Sequence, residues 1–70
     1  MVLSMTRVLV VDDEESLRDL LEFALQLEGM DVSTAANGRL GLDQIHQAVE
    51  AGAPFDVIVL DFAMPIMDGL

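Results

Sequence analysis

Two short runs of consecutive apolar residues, Val8-Leu9-Val10-Val11 and Val57-Ile58-Val59-Leu60, lack polar alternation. Runs of this length, rich in β-branched side chains, predict strands buried on both faces, as in a parallel sheet with helices on either side. The first, with Arg7, predicts a strand over Arg7–Val11; the second, approached through Pro54-Phe55-Asp56, predicts an inner strand. Between them the period changes. From about Ser16, apolar residues recur at Leu17, Leu20, Leu21, Ala24 and Leu27, which predicts a helix with these residues on its inner face, ended by Gly29. Asp31-Val32-Ser33-Thr34-Ala35-Ala36 alternates weakly and is more polar, as an edge strand is. Asn37-Gly38 predicts a turn with Asn37 as a helix cap. A second helix is expected from about Arg39 to Glu50, with Leu42, Ile45 and Val49 on one face and Gly41 costing it about 1 kcal/mol relative to alanine. Ala51-Gly52-Ala53-Pro54 breaks it.

The order strand, helix, strand, helix, strand has connections suited to parallel crossovers, which are right-handed in nearly all proteins. The two apolar strands should be neighbours with the polar one outside. That gives an α/β, three-layer (βα)2β unit with a parallel sheet ordered 2-1-3, the opening of a flavodoxin-like sheet. Both apolar runs end in carboxylates: Asp12 and Asp13 after the first, Asp61 after the second, with Pro65 keeping the second strand from running on. Open α/β sheets place their ligand crevice at the carboxyl ends of the strands. Asp12, Asp13 and Asp61 are therefore expected to converge on one crevice.

Composition narrows the function classes. Seventy residues suit one small domain, whose burial fraction of roughly 60% leaves it marginal as a monomer. Three Lys+Arg against 13 Asp+Glu, a formal net charge of −10, argue against nucleic-acid binding, because few cations are present to replace phosphate counterions. Glu22, Glu28, Asp43 and Glu50 read as solvated surface. The chain has no cysteine, so disulfides and thiol chemistry are excluded. Its apolar runs are too short to span a bilayer and no basic-then-apolar leader precedes them, which leads us to expect a cytoplasmic protein without membrane contact. Residues 1–6 read as an N-terminal extension.

A single Asp at a strand end is most often a loop residue; three at the ends of adjacent strands point to a site. Converging carboxylates repel, so they either hold a proton at raised pKa or bind a cation. Oxygen ligands without His or Cys favour a hard ion such as Mg²⁺, which in turn suggests phosphate chemistry, with an Asp as covalent acceptor. Met64 and Met67 read as core or loop filler, and His46 as a surface residue without a role.

Val8-Leu9-Val10-Val11-Asp12-Asp13-Glu14, taken with Val59-Leu60-Asp61-Phe62-Ala63-Met64-Pro65-Ile66-Met67-Asp68-Gly69, resembles the receiver domain of two-component response regulators. The resemblance runs from about Arg7 to Leu70 and includes the Asn37-Gly38 turn. It implies that Asp61 is phosphorylated from the phosphohistidine of a sensor histidine kinase. It further implies that Asp13 ligates Mg²⁺ directly, that Asp12 acts mainly through water, and that Asp61 and the backbone carbonyl of Ala63 complete the metal site. Met64-Pro65 and Asp68-Gly69 would shape the loop beside the acceptor, and Gly69 would start a third helix.

By this resemblance residues 7–70 correspond to the first half of a receiver domain, without the family's later hydroxyl residue and lysine. The expectation is a truncated phospho-accepting domain, not an enzyme, impaired in phosphorylation and completed by homodimerisation through its third strand. The alternative is a non-catalytic, self-associating fragment or kinase-binding decoy. A phosphatase of the haloacid dehalogenase type fits less well, because Asp12-Asp13-Glu14 is not its Asp-x-Asp motif.

Overall fold

The computed structural model describes residues 5–60. Three strands and two helices alternate along the chain: β1 (Arg7–Val11), α1 (Glu15–Leu27), β2 (Asp31–Ala35), α2 (Gly38–Glu50) and β3 (Val57–Leu60). The sheet is parallel throughout and ordered β2-β1-β3, as the sequence predicts. Arg7 pairs with Asp31 and Val11 with Ala35 across one ladder, and Val8 pairs with Val57 and Val11 with Leu60 across the other.

The core divides into two by the pleat of β1. Val8 and Val10 face one side, where they meet Val32 with Leu21, Leu25, Met30 and Val59. Leu9 and Val11 face the other, where they meet Ala35 with Ile45 and Phe55. Residues alternate between faces along a strand, so one central strand feeds both layers. Gly41 lets α2 lie close to this second layer, since a Cβ there would stand 2.9 Å from Cγ2 of Val11.

Both helices end alike. Gly29 (φ 87°) and Gly52 (φ 77°) adopt the left-handed conformation that closes a helix. The amides of Gly29 and Met30 donate to the carbonyls of Gln26 and Leu25, and those of Gly52 and Ala53 to the carbonyls of Val49 and Ala48. The Asn37 side chain accepts from the Leu40 amide at 2.9 Å, the cap expected at the start of α2. At the amino end of the sheet the Arg7 amide donates to Asp56 at 2.8 Å, its guanidinium pairs with Asp31 at 3.2 Å, and it lies 4.8 Å from the Phe55 ring centre. These contacts tie the starts of all three strands together.

The structure corrects three expectations. The strand buried on both faces is β1; Val57, Ile58 and Leu60 of β3 are exposed, Ile58 by 43%. Among the described residues β3 touches β1 and no helix, so nothing covers its faces. On α1, the packed residues are Leu21 and Leu25, while Leu20 and Leu27 are 60% and 70% exposed. On α2, Gly41, Ile45 and Ala48 face the sheet, and Leu42 and Val49 point away from it. The physical reason is shared: each helix leans on β1 and β2, so the part of its apolar face beyond them meets no layer among the described residues.

Candidate functional site

The site begins where β1 ends. Asp12 follows the last strand residue, yet the sheet still holds it: its amide donates to the Ala35 carbonyl at 3.1 Å. Its carboxylate accepts the Glu14 amide at 2.8 Å, which bends the chain into α1. Asp12 is 1% exposed. A carboxylate so deeply buried requires hydrogen-bonded partners of this kind.

Asp13 is exposed, at the tip of the same turn. The two acids thus have different environments, one fixed inside the sheet end and one presented to solvent. Glu14 accepts the Ser16 hydroxyl at 3.2 Å, and Glu15 opens α1, where the positive end of the helix favours a carboxylate.

The register brings the second carboxylate-bearing run alongside. Val11 and Leu60 are the last paired residues of β1 and β3, and Asp12 and Asp61 are the next residue of each run. Asp61 and Ala63, with Met64-Pro65 and Asp68-Gly69, lie outside the described residues. Among the described residues, no three of His, Cys, Asp or Glu gather to hold a metal ion. The described donors, Asp12 and Asp13, offer carboxylate oxygen alone, which suits a hard divalent ion over a soft one.

One further residue at the site, Arg18 of α1, is not among those the sequence reading singles out. Its Nη1 reaches back to donate to the main-chain carbonyl of Asp12 at 2.8 Å. The available signal is spacing: the Arg18 amide donates to the Glu14 carbonyl, so Arg18 stands one helical turn beyond the acidic turn and above it.

Comparison with known proteins agrees with this fold. The response regulator receiver domain family matches residues 8–70. A probable transcriptional regulatory protein of Picosynechococcus is 42% identical over 91% of the chain and 26% of its own length. The alkaline phosphatase synthesis transcriptional regulatory protein PhoP of Bacillus subtilis is 44% identical over 91% of the chain and 25% of its own length. A third relative, the alkaline phosphatase synthesis transcriptional regulatory protein SphR of Synechococcus elongatus, is 41% identical over 93% of the chain and 27% of its own length. The chain spans about a quarter of the length of the curated relatives it matches. No solved structure matches it. The chain belongs to the response regulator receiver domain family, a family of signalling domains.

Proposed function

We propose that this chain is a phospho-accepting receiver module in which Asp61 takes a phosphoryl group from the phosphohistidine of a sensor histidine kinase. The supporting observation is the register that sets Val11 beside Leu60, so that Asp12-Asp13 and Asp61 continue from adjacent strand ends. In the transfer, a carboxylate oxygen of Asp61 forms the new bond to phosphorus while the P–N bond to the kinase imidazole breaks. The released imidazole keeps the electron pair and takes a proton. Asp13, Asp61 and the Ala63 carbonyl would hold Mg²⁺, and Asp12 would act mainly through water. When bound, the ion supplies positive charge to the phosphoryl oxygens, the main requirement of such a step. The chain accepts a group and passes a signal; it is not an enzyme that turns over a substrate.

Residues 7–70 form the receiver unit, residues 1–6 an extension. The unit works in the cytoplasm, and among the described residues no helix is long and apolar enough to cross a membrane. With its net charge of −10 it holds no nucleic acid by itself. The 70 residues contain three cationic side chains, Arg7, Arg18 and Arg39, and no lysine. Losing one preorganised donor at a transition state costs about 2.7–4 kcal/mol, so the 70-residue chain assayed alone should be phosphorylated slowly. Its exposed third strand favours pairing with a second copy.

The test is intact mass of the 70-residue chain after incubation with Mg²⁺ and a small phosphodonor. Slow gain of one phosphoryl group that Asp61→Asn abolishes is expected. Modification that persists in Asp61→Asn refutes the acceptor assignment, and rapid stoichiometric labelling refutes the impairment. Asp13→Asn should remove the metal-dependent rise in melting temperature that binding to the folded state produces.

A further inference from the structure

Arg18 is half-buried on α1, and the functional reading above leaves it without a role. Its hydrogen bond falls on a consequential atom. The carbonyl of Asp12 and the amide of Asp13 share one rigid peptide plane, whose rotation sets the direction in which the Asp13 side chain leaves the backbone. The amide of Asp12 is already held by Ala35 at 3.1 Å, and its carboxylate accepts the Glu14 amide at 2.8 Å. Neither of these two bonds falls on the Asp12–Asp13 peptide plane itself. Arg18 Nη1 fixes it at 2.8 Å through a charge-assisted hydrogen bond.

We infer that Arg18 is a positioning residue that clamps the Asp12–Asp13 peptide, so that the exposed Asp13 carboxylate is aimed before a divalent cation arrives. The inference rests on the metal-binding reading of the acidic turn and adds the residue that sets its geometry. Two effects of Arg18 on cation binding oppose each other. Its charge repels the cation, but at a half-buried position beside water that repulsion is screened by salt. Its hold on the peptide is not screened, and removing an outer partner that orients a metal ligand typically weakens binding by about tenfold or more. The hold therefore decides the sign.

Mn²⁺, whose unbound form gives a paramagnetic resonance signal, is the probe, titrated into the chain at neutral pH in low salt and again at about 0.5 M salt, where the charge contribution is suppressed. Arg18→Met removes the donor while keeping helix propensity, and should weaken Mn²⁺ binding by about tenfold at both salt concentrations. Arg18→Lys keeps a donor on a long stem and should bind close to wild type. Matched melting temperatures without metal establish that Arg18→Met is folded; should it unfold below the assay temperature, Arg18→Ala, equally without a donor and the best helix former, carries the same expectation. Wild-type or tighter binding by the donor-free variant, with Asp13→Asn still abolishing binding, overturns the role of Arg18 and leaves the site intact. Unchanged binding in Asp13→Asn instead overturns the metal site on which the inference stands.

Discussion

Asp12 and Asp13 are neighbours of identical chemistry, and their environments diverge because the sheet reaches one and not the other. The Ala35 carbonyl still captures the Asp12 amide, which draws its side chain into the strand end. Both acids were legible in the sequence because an apolar run that stops at carboxylates marks where a strand ends. Arg18 and Gly41 were not, since the role of each depends on a contact between elements. Read along the helix, Gly41 is a propensity loss of about 1 kcal/mol; in the fold it is the place where α2 approaches Val11. Valine is stiff about χ1 and has little room to move aside. Gly41→Ala should therefore destabilise the chain on balance, an overpacking cost of about 1–3 kcal/mol exceeding the helix gain of about 1 kcal/mol. Gly38→Ala is the control, because a Cβ there meets nothing within 4 Å. Denaturant midpoints would measure both, and equal stability of the two variants would contradict the close approach of α2.

At the scale of elements, the ends of the helices were more legible than their faces. Gly29, Gly52 and Asn37 act through local backbone geometry, so their residue types alone announce them. A buried face depends on which neighbours exist: Leu20 and Leu27 satisfy the helical period as well as Leu21 and Leu25, and only the placement of β1 and β2 under α1 separates them. The same holds for β3, whose apolar run predicts burial that the described residues do not provide. The cap on α2 yields a prediction of its own. Asn37→Ala leaves the Leu40 amide without its 2.9 Å acceptor and should cost about 1 kcal/mol, whereas Asn37→Asp keeps an acceptor and should cost far less. Thermal unfolding of the two variants would check this, and equal losses would mean that the cap is not what holds the first turn.

For the whole molecule, the unequal burial of the two apolar strands is the dominant fact. β1 is enclosed by two strands and two helices; among the described residues β3 pairs along one edge only and carries exposed Val57, Ile58 and Leu60 across both of its faces. An edge with apolar side chains and unsatisfied backbone groups is a template for another strand. A second copy meets that need under a two-fold axis that pairs the third strands antiparallel, because the same edge then serves both partners in a self-complementary interface. The resulting sheet would be ordered 2-1-3-3′-1′-2′. Against it stands the charge of each copy, −10, which salt screens. Folding and pairing should therefore be linked in the 70-residue chain: its melting temperature should rise with protein concentration, and rise further with added salt. Ile58→Lys should abolish the concentration dependence, although it also removes apolar packing within the protomer, so the wild-type dependence is the primary measurement. Sedimentation of a folded monomer at micromolar concentration, with a melting temperature indifferent to concentration, would exclude the dimer and mean that the open edge of β3 is satisfied within one chain.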